Sequence, residues 1–310
     1  MQANIIDSLR KAVISNGIII TDIDDTIKEN HYVDWSDKRR KIYPSAIVGL
    51  YTLMEKNIEV IPVTEQSVNE FRPFANDLNN LVKATLFQGF IGEGGCVAKI
   101  DGRTMIIPTR EEIESLRKIK NWLSEKIVPL GDDGWGRLPG INLKTPLIKL
   151  PEENEQGEFS VSLWKKGPHV GADSKYIELY KMIDDFIQSF IDNDPLMKGV
   201  TISEAGNGTA RIRPTGVDKS YTMKLLSRKG IIKFPDLIYF CDGPNDLALA
   251  KEIKSNNGFV VAVSNAIDEL KEIADYVTKL PCSKGFAEVV QLMFPDKFKN
   301  VGRELSLAIS

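Results

Sequence analysis

"GIIITDIDDTIKEN", residues 17–30, places three acids, Asp22, Asp24 and Asp25, directly behind an apolar run. Ile18, Ile19, Ile20 and Thr21 read as a short buried strand with the carboxylates crowding its exit. Like charges that close together repel, and taking them out of water costs more still. A chain that gathers carboxylates at the end of a core strand needs something there to neutralise them.

The same arrangement recurs along the chain. "IEVIPVT" (58–64) is a second buried strand ending in a hydroxyl, and "ATLFQGFIGEGG" (84–95) holds an apolar stretch running into glycines. "LIYFCDGPND" (237–246) is an apolar strand ending in acids, and "GFVVAVSNA" (258–266) has a polar ending. Pro44 opens a helix carrying Ile47, Leu50, Leu53 and Met54, and Ile5, Leu9 and Val13 mark one face of an N-terminal helix over 1–16. Apolar strands without polar alternation, separated by helices, indicate a parallel sheet covered on both faces. Ligands of such sheets bind beyond the carboxyl ends of the strands, where these polar residues collect on one rim.

Residues 96–213 read differently. "CVAKIDGRTMII" (96–107) is a hairpin turning at Asp101 and Gly102, followed by a helix over 111–126 and a polar, glycine-rich stretch to Gly140. Strands are expected at 147–150 and 159–164, a helix over 173–191, and a second hairpin around Asn207 and Gly208. Two such helix-plus-strand-pair units predict an antiparallel sheet with helices on one face. The fold expected is therefore α/β: a doubly wound, Rossmann-like parallel-sheet core from 1–90 and 214–310, with an α+β cap from 91–213 inserted into it.

Composition narrows the class. Of 310 residues, 42% are apolar and 27% charged, enough for a sizeable core. With 40 basic and 43 acidic residues the net charge is -3, so neither nucleic acid nor an anionic membrane is expected as partner. Cys96, Cys241 and Cys282 are too scattered for a disulfide framework or a zinc site. No apolar run approaches the ~18 residues of a membrane helix, and the N-terminus lacks a secretory pattern. A cytoplasmic protein is expected. His31 and His169 are too far apart to pair on a metal. Lys165 and Lys166 read as a solvated face, Asp37 to Lys41 as a charged surface run, and Trp135 with Arg137 as a surface loop. The glycines of "GEGG" (92–95) lack the spacing of a dinucleotide site.

The polar strand ends supply Asp22, Asp24, Thr26, Thr64, Asp242, Asn245 and Asp246, and "GVDKS" (216–220) adds Lys219. Hard oxygen donors without histidine suit Mg²⁺, and a cation would neutralise the crowded acids.

This set resembles the four motifs of the haloacid dehalogenase superfamily of phosphohydrolases. Asp22-Ile23-Asp24-Asp25-Thr26 is similar to its DxDx[TV], Thr64 to its strand-end Thr or Ser, Lys219 to its lysine, and Cys241-Asp242-Gly243-Pro244-Asn245-Asp246 to its GDGxND. "FIGEGGCV" (90–97) and "RIRPTGVDKS" (211–220) resemble the cap entry and exit of the sugar-phosphatase branch, with its Cof-like, sucrose-phosphatase and mannosyl-phosphoglycerate phosphatase families.

The resemblance implies a Mg²⁺-dependent phosphatase of a small phosphorylated metabolite, a sugar or sugar-acid phosphate. It assigns Asp22 as nucleophile, Asp24 as general acid and base, Thr64 as the phosphoryl grip and Lys219 as charge balance. Thr26, Glu65 and Asn245 would face the phosphate, and Asp22, Asp24, Asp242 and Asp246 the metal. A phosphomutase or a non-catalytic phospho-ligand binder on the same fold is the alternative. Three positions depart from the pattern: Asp25 stands where glycine is frequent, Glu65-Gln66 follow Thr64 where small or basic residues are commoner, and Cys241 replaces glycine.

Overall fold

The computed structural model describes residues 2–29, 42–130, 132, 134–138, 147–151, 157–166, 174–197, 199–206 and 209–309. His31, His169, the 37–41 run and the Asn207-Gly208 turn lie outside the described residues.

Helix α1 (Gln2–Asn16) precedes strand β1 (Ile18–Thr21), then α2 (Pro44–Met54), β2 (Glu59–Pro62) and α3 (Val68–Val82) follow. Strands β3 (Gly89–Gly92), β4 (Val97–Ile100) and β5 (Arg103–Ile106) lead into α4 (Arg110–Lys126). The middle of the chain supplies β6 (Val128–Pro129), β7 (Gly136–Arg137), β8 (Leu147–Lys149), β9 (Val161–Lys166), α5 (Ser174–Asn193), β10 (Val200–Gly206) and β11 (Thr209–Pro214). The chain then runs through α6 (Lys219–Arg228), β12 (Ile238–Cys241), α7 (Leu247–Ser255), β13 (Phe259–Ala262), α8 (Asp268–Ile273), β14 (Tyr276–Val277), α9 (Cys282–Met293) and α10 (Pro295–Ile309).

The central sheet is parallel, in the order β14-β13-β12-β1-β2. Successive residues of β1 point to opposite faces, and both faces are dry. Ile19 packs with Leu9, Leu50 and Phe286 of α1, α2 and α9, whereas Ile20 packs with Met223, Leu249 and Leu270 of α6, α7 and α8. In β12, Ile238 and Phe240 face the first layer and Tyr239 and Cys241 the second. Helices on both sides explain why these strands are apolar throughout. Cys241 is fully buried there, small enough to fill the place of the expected glycine.

The 84–95 stretch departs from expectation. β3 meets the central sheet through a bridge between Val63 and Ile91, and pairs along its length with β4 in a three-stranded antiparallel sheet, β3-β4-β5. The hairpin over 96–107 turns at Asp101 and Gly102 as its sequence predicts, but it extends this small sheet rather than the antiparallel sheet of the insert. Hydrogen bonding with the backbone of β3, which alternation cannot reveal, decides its partner.

The larger antiparallel sheet begins at β6 and runs β10-β11-β9-β8-β7-β6. Val161, Leu163, Ala210 and Ile212 pack with Leu116, Ile119, Ile183 and Ile187 of α4 and α5 on one face. Alternation therefore puts Ser162, Arg211 and Arg213 on the other face. Lys165 lies on the helix side, fully buried, its ammonium 2.8 Å from Asp184 and 5.1 Å from the ring centre of Tyr180. The solvated face expected for it is corrected: pairing with an α5 carboxylate offsets the cost of burying the charge.

Candidate active site

Asp22 follows β1 and continues its pairing with β12 through a hydrogen bond from its N–H to Phe240 O, 2.9 Å. Asp242 follows β12, the neighbouring strand. Parallel pairing of adjacent strands thus sets the two carboxylates side by side. Asp246, on the 3-10 turn Pro244–Asp246, completes a group in which one oxygen from each acid lies within 4.8 Å of the others.

Lys219 is the first residue of α6, whose N-cap Asp218 accepts a hydrogen bond from Tyr221 N at 2.6 Å. Its ammonium is buried and bridges Asp22 Oδ1 at 2.8 Å and Asp246 Oδ1 at 2.6 Å. Tyr239 OH also donates to Asp246 Oδ1, at 2.5 Å, and the N–H groups of Asp242 and Gly243 donate to Asp246 Oδ2 at 3.2 and 3.1 Å. Both Asp246 oxygens are committed to protein donors, so this acid anchors Lys219 and the turn. Thr26, expected at the phosphate, donates its hydroxyl to Asp242 Oδ1 at 2.6 Å and orients that carboxylate.

The loop after β1 doubles back tightly: Ile27 N and Lys28 N both bond to Ile23 O, at 3.0 and 2.9 Å. Asp25 takes a φ of 58° in it, a conformation that suits glycine best and aspartate among the few others. That accounts for the frequent glycine at this position and for the aspartate here. Asn265 Nδ2 holds the loop by donating to Asp25 O at 2.9 Å.

Thr64 ends β2. Its N–H bonds to Ile91 O at 2.9 Å, and its hydroxyl accepts from Gln66 N at 3.2 Å. Ser67 then caps α3 in a reciprocal box with Glu70, which fixes the 64–67 turn. Gln66 is buried and donates Nε2 to both Asp24 oxygens at 2.7 Å, while Lys28 Nζ, also buried, lies 3.3 Å from Asp24 Oδ1.

Glu65 points at the large antiparallel sheet. Arg213 Nη1 lies 3.2 Å from its Oε1, Arg211 Nε lies 3.7 Å from its Oε2, and Arg211 Nη2 donates to the Glu65 carbonyl. Arg211 also donates to Ser160 Oγ at 3.1 Å. Ser160 Oγ in turn donates to Glu93 Oε2 at 2.9 Å, and Glu93 accepts from Glu158 N and Phe159 N at 3.0 and 2.8 Å. Gly94 and Gly95 carry this joint: a Cβ at Gly94 would stand 2.2 Å from Arg213 Nη1, and one at Gly95 2.4 Å from Asp218 O. "GEGG" is thus a packing element between the 64–67 turn and α6.

Burial pushes the Asp22 and Asp242 carboxyls well above their usual range. The charges of Asp246 and Asp24 add to the rise at Asp22 against the pull of Lys219, and those of Asp22 and Asp246 add to it at Asp242. Burial also works against the charge of Lys219, but Asp22, Asp246 and Glu65 more than reverse it and hold the ammonium above its usual range. For Glu65 burial raises and the cations Arg213, Lys219 and Arg211 lower; the cations win, and the carboxyl is held below its usual range. The carboxylate next to Thr64 is therefore neutralised by guanidinium groups instead of confronting a phosphate.

A family model described as haloacid dehalogenase-like hydrolase matches residues 19–290. The chain belongs to that family. A phosphoglycolate phosphatase of Methanospirillum hungatei is 23% identical to this haloacid dehalogenase-like hydrolase over 280 residues, covering 89% of this chain and 96% of the relative. Among solved structures, a HAD/COF-like hydrolase from Plasmodium vivax superposes with a TM-score of 0.59 at 17% identity, over 93% of this chain and 99% of that one. A haloacid dehalogenase-like hydrolase from Bacteroides thetaiotaomicron gives 0.58 at 16%, over 89% and 99%. At such identities these two show the fold, a Rossmann-like core plus cap. The reaction class follows from the family and its curated relatives: this hydrolase is a phosphatase.

In this hydrolase Asp22, Asp242, Asp246 and Lys219 come together directly, and Thr26 joins them through Asp242. Asn245 sits half-buried on the same turn, its Oδ1 against Gly243. Arg211, Arg213, Lys28 and Tyr239 were not singled out from the sequence. The alternation of Arg211 and Arg213 in "RIRP" marks one strand face, but nothing local says which residue that face meets. Trp135 is half-buried and Arg137 exposed.

Proposed function

We propose that this phosphatase hydrolyses the phosphomonoester of a small phosphorylated metabolite, a sugar or sugar-acid phosphate, through an aspartyl-phosphate on Asp22 and with the help of Mg²⁺. The observation that carries the reading is the meeting of Asp22, Asp242 and Asp246 within 4.8 Å at the end of the central strands, with Lys219 bridging two of them.

The donor set fits a hard divalent cation. Two carboxyls, each raised by burial and by neighbouring acids, are stabilised when a cation replaces their protons. Asp22 and Asp242 would hold it with the Asp24 carbonyl, and Asp246 would act from behind by orienting Lys219. When bound, the cation supplies positive charge against the phosphate oxygens.

The side chains then divide the work. Asp22 attacks phosphorus, and Asp24 gives its proton to the departing ester oxygen, so one hard displacement becomes two easier ones. Asp24 next takes a proton from the water that attacks the aspartyl-phosphate, which frees Asp22. Lys219 balances charge between nucleophile and phosphoryl group. Thr64, with its neighbouring backbone amide, and Asn245 would grip the phosphoryl oxygens. Residues 91–213 would act as a cap whose polar face, with Arg211 and Ser162, closes the site and selects the substrate. In support, β10 packs beside the Pro244–Asp246 turn. The name of the Methanospirillum relative places a short phosphorylated carboxylic acid first among substrates to try.

The test is phosphate release from a panel of sugar phosphates, sugar-acid phosphates and 2-phosphoglycolate, with Mg²⁺ and with chelator. Release that needs Mg²⁺ and disappears in Asp22→Asn supports the reading. Return of the phosphoryl group to another position of the substrate, without free phosphate, would replace it with a mutase.

A further inference from the structure

We propose that Gln66 is a positioning residue for Asp24, holding that carboxylate for proton delivery to the leaving group. The inference rests on the acid/base reading of Asp24 given above. Gln66 Nε2 reaches both Asp24 oxygens at 2.7 Å. Against the ionised Asp24 the amide presents its NH₂, because its oxygen would be repelled by a carboxylate. The Gln66 backbone is fixed separately: its N–H donates to Thr64 Oγ1 at 3.2 Å and its carbonyl accepts from Glu93 N at 2.9 Å. The side chain is therefore not required to build the turn.

The other end of the amide identifies its purpose. Gln66 is 4% exposed, and its Oε1 has no hydrogen-bond partner among the described residues. Burying an acceptor unpaired is unfavourable, and local packing alone gives no reason for it. The amide accepts that cost while its nitrogen holds Asp24. The Asp24 side chain itself is 27% exposed, at the border between the dry interior and the open side of the site. Lys28, fully buried, supports the same carboxylate from the interior. Glutamine after Glu65 thus acquires a role: the 64–67 turn carries both the phosphate-gripping Thr64 and the residue that aims the acid.

In the step concerned, an Asp22 oxygen forms a bond to phosphorus, the ester P–O bond breaks, and the Asp24 proton passes to the departing oxygen. A p-nitrophenolate leaves without that proton, whereas the alkoxide of 2-phosphoglycolate needs it. The value of kcat/KM covers the chemistry up to loss of the leaving group. The experiment measures it for both substrates, with Mg²⁺ present, in the wild type, Gln66→Met, Gln66→Ala and Asp24→Asn.

Gln66→Met keeps the shape and loses the donor; kcat/KM for 2-phosphoglycolate is expected to fall about 100-fold and that for p-nitrophenyl phosphate less than about threefold. Gln66→Ala, should the methionine variant fail to fold, gives the same readout, since it removes the donor without adding a charge that would act differently on the two substrates. An equal loss on both substrates, or none on either, in a folded variant overturns the proposal. If Asp24→Asn shows the differential and the Gln66 variants do not, only the positioning role is lost. If Asp24→Asn itself shows none, the acid assignment fails and takes the positioning role with it.

Discussion

Lys219 Nζ stands 2.8 Å from Asp22 Oδ1, across a separation of 197 residues in the chain. The contact joins the first residue of α6 to the exit of β1, and it depends on everything folded between them.

Lys219→Met is expected to lower both stability and activity. Two buried carboxylates lose their shared cation, and breaking a buried pair costs on the order of 3–5 kcal/mol. Denaturant melts should show that loss, with phosphate release falling to background. A variant as stable as the wild type would mean that Asp22 and Asp246 do not need this ammonium.

Mg²⁺ is expected to raise the melting temperature of the wild type and to do so much less in Asp242→Asn. At a concentration 100 times its Kd the cation contributes about 2.7 kcal/mol. Calorimetry with and without chelator measures the difference. Equal responses in the two proteins would remove Asp242 from the metal site.

Glu65→Gln tests the joint between the 64–67 turn and β11. The substitution leaves Arg211 and Arg213 without their carboxylate, for a loss of about 3–5 kcal/mol at neutral pH. The pH dependence has a definite sign. Glu65 is held below its ordinary value of 4.5, so its contribution is full above pH 4.5 and disappears as pH falls through the lower folded value. The gap between wild type and variant, followed by chemical denaturation, should close below pH 4.5. A gap that stays constant into acid would show that Glu65 acts through shape.

Gly95→Ala is expected to destabilise more than a surface substitution. Gly95 has a φ of 102°, and the added Cβ would stand 2.4 Å from the Asp218 carbonyl oxygen. Conformational strain and overpacking together amount to roughly 2–4 kcal/mol. Because Asp218 caps α6, phosphate release should fall as well, through displacement of Lys219.

Much of the core was legible because its signals are local. Three apolar runs that end in Asp22, Thr64 and Asp242 name buried strands and their functional rim, and Asp101-Gly102 announces a hairpin. The partner of that hairpin was not legible, since β4 pairs with β3 through backbone groups common to every residue. The oddity at Glu65-Gln66 was visible, but its meaning was not. Glu65 meets arginines more than 140 residues away, and Gln66 meets Asp24 at a separation of 42 residues. Lys165 looks like a solvent-facing lysine in one dimension and becomes a buried ion-pair partner in three.

The sequence by itself determined the strand ends, the chemistry gathered on them and their order, because apolar periodicity and the spacing within each motif are properties of short segments. Only the tertiary structure decided which charge neutralises which. Burial removes the water that would otherwise screen these groups, so each must find its partner from a distant part of the chain, and that choice is made by packing.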